Sequence, residues 1–327
     1  MANAGQAVTE AELAALDAIE KDGLWSVDGV QVKVTNLDKV LFQEVPPSDE
    51  HPEGRPAGTK RDYLRYLAQI GPALLPYLAG RAVNVVRHPD GTGAEGFWAK
   101  AAPAKRPEWL ATWDNPRAST GETRTYVVAD RIATLVYLGN LAALELHPWT
   151  SSCARSDEPD WALIDLDPGT ATTWDDLLLL ARMHRTALQQ LDVQAAAKVT
   201  GKRGIQVWIP VAPGHSFEQT LEWVQKLSQL IGHLVPDLIS WEWSTSERGG
   251  KARLDYTQNI RNKTLVAPFS ARAAAGGPVS IPITWDELDD PDLRPDRWTI
   301  HTAVERLASV GDPMRPLIGT PQHLPGL

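Results

Sequence analysis

Apolar and polar positions along this chain follow two periods, and their order sketches an architecture. Thr9, with Glu12 three places later, precedes Leu13, Leu16 and Ile19, which predicts a short capped helix ended by Gly23. The alternation in VQVKVTNLDKVLF predicts strand and turn. The next stretch, QEVPPSDEHPEGRPAGT, is rich in Pro, Gly and charge and reads as a flexible surface loop ahead of a helix from about Lys60 to Leu78. AVNVVRHPDG reads as a strand running into a turn. RIATLVYLGNLAALEL is apolar almost all round, which predicts a buried helix that delivers His147, Pro148 and Trp149 at its end.

The second half follows a strand, helix, strand, helix, strand rhythm. WALIDLDPG predicts a strand with Ala162, Ile164 and Leu166 on one face and Leu163, Asp165 and Asp167 on the other, stopped by Pro168-Gly169. A helix is expected over about Thr173 to Leu191, then strand, tight turn and strand in AAKVTGKRGIQVWIPV. Another helix is expected from about Ser216 to Leu234, and a strand in KARLDYTQN. ARAAAGGPVSIPITWDEL reads as a loop. The pattern predicts an α/β (mixed α+β) fold, with mixed sheets flanked by helices and no solenoid repeat.

The totals narrow the class. At 327 residues the chain has ample length for a core, and one cysteine, Cys153, excludes an internal disulfide and a Cys-built zinc site. No run approaches the roughly 18 apolar residues of a membrane span, and no basic start leads into a secretory signal. A cytoplasmic location is the expectation. The formal charge of -9 argues against a wholly basic nucleic-acid binder. Charge is unevenly distributed, however: Thr245 to Arg272 carries six bases against two acids, whereas the first 22 residues carry five acids and one base. One basic face on an acidic body suits a polyanion bound on one side.

Asp165 and Asp167 lie about 6 to 7 Å apart along the strand, close enough to share an ion or flank a pair. Asp255, on a face with Lys251 and Arg253, supplies a third strand carboxylate. Three acids from two strands are the donor set of two-metal nucleotidyl transfer with Mg²⁺ or Mn²⁺. In VTGKRGIQVW, Thr200, Gly201, Lys202, Arg203 and Gly204 form a tight turn whose glycines admit phosphate oxygens and whose Lys202 and Arg203 bring positive charge; the Walker spacing is absent. Each feature alone admits a plain structural reading. The acids could be a strand meeting solvent, the glycines only a turn, His147 a packed or capping residue, and Phe97-Trp98 part of the core instead of a base-stacking pair.

Taken in order, TNLDKVLF, HPDG, FWAKAAP, ALELHPW, LIDLDPG, VTGKRGIQVWIPV, LDYTQNIRNKTLVAPFSAR and TWDEL resemble the polymerase domain of the bacterial end-joining ligase D and its stand-alone relatives. These belong to the archaeo-eukaryotic primase-polymerase superfamily. The likeness runs from about Val34 to Pro313. It implies that fold, with two subdomains packed around one active-site cleft. It also implies a catalytic domain over 31–315 between an acidic helical extension (1–30) and a C-terminal tail (316–327).

The resemblance implies two Mn²⁺ or Mg²⁺ ions on Asp165, Asp167 and Asp255. It implies nucleotide contacts from His147, Thr200, Gly201, Arg203, Arg272 and Arg87, and a downstream 5′-phosphate on Lys39 and Lys60. Template or other DNA contacts would come from Phe97, Trp98, Lys100 and Arg248. Implied partners are gapped or broken-ended DNA with a 5′-phosphate, NTP or dNTP, a separate DNA ligase and Ku, at the nucleoid and away from membranes. The implied activity is template-directed addition of one or a few nucleotides, with ribonucleotides preferred, in end joining or excision repair.

Some positions depart from the family pattern. Thr200 replaces the usual serine, Val86 stands where relatives can carry a second base, and the loop from Glu44 to Gly58 is longer than in ligase-linked domains. No ligase sequence follows, so sealing is expected from another protein. Two rivals stand beside this expectation. One is a two-metal phosphatase or nuclease, disfavoured because Gly169 occupies the place where the D-x-D-x-[TV] pattern needs Thr or Val. The other is a gap-binding adaptor without chemistry.

Overall fold

The computed structural model of the protein describes residues 7–116, 118, 121–242, 244 and 246–327. The first six residues of the expected N-terminal extension, and Thr245 at the head of the basic stretch, lie outside the described residues. Two compact units divide the chain. The first holds the described residues up to Pro148 together with Val266–Val279 and Trp298–Ser309; the second holds Trp149–Leu265, Ser280–Arg297 and Val310–Leu327.

In the first unit, α1 (Glu10–Asp17) is followed by the hairpin β1 (Gly23–Val27) and β2 (Val30–Val34). Thr9 and Glu12 form the expected capping box, and Leu13 and Leu16 are buried. Arg61 donates to the carbonyls of Leu16, Ile19 and Glu20, which ties this helix to α2 (Lys60–Leu78). Between them run β3 (Val40–Phe42) and β4 (Gly58–Thr59). The long loop joining these strands is closed by reciprocal bonds between Val45 and Arg55.

The limits of α2 match the expectation, because Thr59 and Asp62 form a second capping box. The helix buries Tyr63, Tyr66, Leu67, Ile70 and Leu74, each such side chain contributing about 1.5–3 kcal/mol. Its buried hydroxyls are satisfied: Tyr63 donates to the Ala143 carbonyl and Tyr66 to that of Phe269.

A five-stranded sheet follows, from β5 (Ala82–Arg87), β6 (Phe97–Ala99), β7 (Thr112–Asn115), β8 (Arg124–Val128) and, after α3 (Ile132–Asn140), β9 (Ala143–Pro148). The order is β6-β5-β8-β7, with β9 along the other side of β5. Here the structure corrects the sequence expectation. The apolar run from Arg131 to Leu146 is helix only as far as Asn140; Ala142 then takes a φ of 55°, and the rest is a fully buried strand. A run apolar on every side suits a buried helix and a buried strand equally, and Gly139-Asn140 is where it changes. His147 therefore stands inside a strand and not at a helix end.

The second unit is built on β10 (Trp161–Asp167), α4 (Trp174–Gln190), β11 (Ala196–Val199), β12 (Ile205–Pro210), α5 (Phe217–Leu234), β13 (Arg253–Asp255) and β14 (Ile281–Ile283). Its strand order is β13-β10-β12-β11-β14, and α4 and α5 pack on β10. Strand pairings throughout the described residues are antiparallel in both units, so β12 lies between β10 and β11. β14 falls in a segment expected to be loop. Pro282 speaks against a strand in sequence, yet β14 is an edge strand, where a missing N–H is tolerated. A last helix, α6, spans Ala303–Val310.

Candidate active site

The acids of the second unit are brought together by register. Asp165 and Asp167 end β10 on one face, as the alternation predicts. β13 pairs with β10 so that Asp255 lies directly opposite Asp165 and Arg253 opposite Asp167. Residues facing each other across an antiparallel pair share a face, so all three acids point the same way. The row continues across the sheet: Gln206 is opposite Asp165, and Lys198 opposite Gln206. Asp255, Asp165, Gln206 and Lys198 thus form one polar row across the sheet.

Each member has defined partners. Gln206 Nε2 donates to Asp165 Oδ1 at 3.2 Å. Asp255 accepts from the Thr257 N–H and hydroxyl at 2.9 and 2.6 Å and from Gln258 Nε2 at 2.8 Å. Arg253 Nη2 lies 3.6 Å from Asp255 Oδ1. Asp167 Oδ2 accepts from Arg248 Nη1 at 3.1 Å. The Lys198 ammonium is fully buried and donates to Ser280 Oγ at 2.6 Å. Burial, and then repulsion from Asp167, push the Asp165 carboxyl up to about 7; Asp255 adds to the rise, while the Gln206 bond and Lys198 oppose it.

These residues fit hard divalent ions. The donors are all carboxylate oxygens, and the Asp165 carboxyl, raised first by burial and then by Asp167, is the kind of site that a bound cation would relieve. Among the described residues no three His, Cys, Asp or Glu groups already stand as a ligand set. The reason is local: Asp167 is turned to Arg248, and Asp255 to Thr257 and Gln258.

The turn between β11 and β12 is stitched internally. Thr200 Oγ1 accepts from the N–H groups of Gly204 and Lys202, and the Gly201 N–H bonds the Pro295 carbonyl. Gly201 has a φ of +73°, and a Cβ on Gly204 would sit 2.7 Å from the Leu166 carbonyl oxygen, so both glycines are dictated by backbone. With the N–H groups of Gly201, Lys202 and Gly204 already bonded, the exposed Lys202 and Arg203 side chains are the turn's outward chemistry.

The first unit carries the other expected residues. His147 is buried on β9; its Nε2 lies 2.9 Å from Glu145 Oε2, and its ring centroid 4.7 Å from that of Trp98. Arg272 Nε lies 3.2 Å from Glu145 Oε1. Phe97 and Trp98 are 49% and 53% exposed, which removes the core reading of this pair. Arg87 lies over the Phe97 ring at 5.3 Å, and Lys100 is exposed just beyond β6. Lys39 Nζ pairs with Asp90 at 2.8 Å. Lys60 Nζ and Arg87 Nε donate to the consecutive carbonyls of Asn140 and Leu141 at the end of α3, a favourable place for cations. Burial first, then the charges of Lys39 and Arg87, hold the Lys60 ammonium below its ordinary value.

Sequence reasoning passed over Glu145, Lys198 and Gln206. The available signal was a lone polar residue inside an otherwise apolar strand, as in ALELHP and IQVWIP. Arg248, expected as a DNA contact, is buried against Asp167.

A model of the family described as LigD, primase-polymerase domain, matches residues 59–314. The chain belongs to this family. Primase-polymerase domains are nucleotidyltransferases, and the α/β architecture agrees with membership. The chain is 29% identical over 300 residues to the bifunctional non-homologous end joining protein LigD of Bacillus subtilis, covering 90% of this chain and 45% of that protein. It is 30% identical over 268 residues to the multifunctional LigD of Pseudomonas aeruginosa, covering 81% of this chain and 32% of the relative. The primase-polymerase chain thus spans a third to just under half the length of these curated relatives. A solved polymerase domain of Mycobacterium tuberculosis ligase D, in complex with DNA, superposes with a TM-score of 0.77 at 27% identity, covering 89% of this chain and 99% of that one.

Proposed function

We propose that this chain is a template-directed DNA repair polymerase that adds one or a few nucleotides at short gaps or broken ends bearing a downstream 5′-phosphate. The observation that carries the reading is the cross-strand row that sets Asp255 opposite Asp165, with Asp167 on the same face. Family membership turns that donor set toward nucleotidyl transfer and away from a phosphatase.

Asp165 and Asp167 would hold two Mg²⁺ or Mn²⁺ ions, and Asp255 mainly the one beside the primer terminus. Bound there, the ions supply acidification of the 3′-hydroxyl and charge neutralisation on the triphosphate. Arg203, Arg272 and His147 stabilise charge on that triphosphate, with Thr200 and Gly201 shaping the turn that carries Arg203. Lys39 and Lys60 bind the downstream 5′-phosphate as salt-sensitive contacts, and Arg87 contacts the nucleotide. Phe97 and Trp98 offer exposed ring faces to template bases, and Lys100 a nearby charge. The names of the relatives support a place in end joining; Ku and a separate ligase as partners, and a nucleoid location, are part of the proposal. A preference for ribonucleotides belongs to the same proposal.

Primer extension on gaps of one to three nucleotides, with and without a 5′-phosphate and with Mn²⁺ or Mg²⁺, tests this by comparing NTPs with dNTPs. Extension that the 5′-phosphate enhances is the expected result. Loss of nucleotides from the primer would indicate a nuclease, and binding without incorporation an adaptor.

A further inference from the structure

We propose that Glu145 is a positioning residue for the incoming nucleotide, a single buried carboxylate that fixes both His147 and Arg272. This rests on the reading that those two side chains meet the triphosphate. Glu145 is 4% exposed and shares a face of β9 with His147. Its two oxygens divide the work. Oε2 lies 2.9 Å from His147 Nε2, while Oε1 lies 3.2 Å from Arg272 Nε and accepts the Ala273 N–H at 3.0 Å.

Arg272 arrives from a segment far along the chain, which is stitched to the same strand. Leu146 N–H donates to Ser270 Oγ at 2.9 Å, and Ala267 N–H donates to the Leu146 carbonyl at 2.9 Å. The 3.2 Å approach of Arg272 Nε to Oε1 is a charge contact and not a hydrogen bond, so Glu145 holds the guanidinium against β9 by ion pairing. On the histidine, Glu145 and the Trp98 ring together restrict rotation. A buried carboxylate stripped of partners is costly, so Glu145 has strong reason to keep both. Its effect is pre-organisation: nucleotide binding need not order either side chain.

The test is steady-state kinetics of the whole chain on gapped DNA with Mn²⁺, varying the nucleotide. Glu145→Gln keeps the volume and removes the charge. Nucleotide KM is expected to rise about tenfold or more, with kcat changed less than about twofold and gapped-DNA affinity unchanged, the pattern of lost uniform binding. Arg272→Ala also raises KM, and the double variant raises it by less than the product of the two, because they act through one contact.

An unchanged KM in Glu145→Gln beside a raised KM in Arg272→Ala overturns the role of Glu145 and leaves the nucleotide reading standing. An unchanged KM in both overturns the nucleotide reading itself. Parallel losses of kcat and DNA affinity in Glu145→Gln would mark a general structural residue and also overturn the proposal. If the Gln variant does not fold, Glu145→Asp, which keeps the charge and withdraws it by one methylene, carries the same expectation and the same refutation.

Discussion

Asp165→Asn separates what the site costs from what it does. Without metal at pH 8, the wild-type carboxyl is ionised in the fold although its folded value is near 7, against 3.8 ordinarily. The folded state binds this proton more tightly than the unfolded chain. The neutral form's stability is therefore fully present below 3.8, falls away as pH rises, and is gone above about 7. A gap of about three units corresponds to roughly 4 kcal/mol. That figure is an upper bound, since Asp165 keeps some surface open to solvent.

Asn is neutral at every pH and still accepts from Gln206. The variant should therefore melt higher than wild type at pH 8 by up to roughly 6 °C if the 327 residues unfold together. The advantage should shrink through pH 5 and vanish near pH 3. Saturating Mn²⁺ should narrow it, because an ion at about 100 times its Kd adds about 2.7 kcal/mol to the wild type alone, against the roughly 4 kcal/mol at stake. Melts with and without Mn²⁺ at three pH values, beside primer extension, read all of this. An Asn variant that melts lower than wild type at pH 8 without metal, or an advantage independent of pH, refutes the argument that burial and carboxylate repulsion load this position.

Three further outcomes follow from particular contacts. Asp90→Asn frees Lys39 from a partly exposed pair worth under about 1 kcal/mol; affinity for 5′-phosphorylated gaps should rise by less than about fivefold at low salt, and no rise at all would remove Lys39 from the phosphate contact. Gly169→Ala would place a Cβ 2.2 Å from the carbonyl oxygens of Gly250 and Lys251, so the approach to β13 must shift; a loss of roughly 1–3 kcal/mol in denaturant melts and a marked fall in extension rate are expected. Trp98→Ala removes a ring already half in solvent, so stability should change by under about 1 kcal/mol while template affinity drops by about 1–3 kcal/mol in a binding titration.

Much of this fold is written locally. The limits of α2, α4 and α5 follow from side-chain caps at Thr59, Thr173 and Ser216, each bonded to the backbone three residues on. The face shared by Asp165 and Asp167 follows from strand alternation alone. Resistance came where the decisive contact is distant. That Asp255 sits opposite Asp165, and Glu145 against Arg272, depends on pairing between segments about 90 and 127 positions apart, which no local period encodes. The Arg131–Leu146 run misled for another reason: burial on all sides erases the period that tells helix from strand. The Thr200 turn showed its glycines in sequence but not the bonds that its N–H groups make.

β13 is three residues long and is the last strand of its sheet; on its outer side the backbone bonds stop at Ala252, so Asp255 itself pairs only with β10. Asp165 and Asp167 lie on its inner neighbour, flanked on both sides. Edges fray at lower cost than interiors. Warming should therefore detach the third acid while the other two stay seated, and catalytic competence should decay at temperatures where spectroscopic signals of the folded chain are still intact.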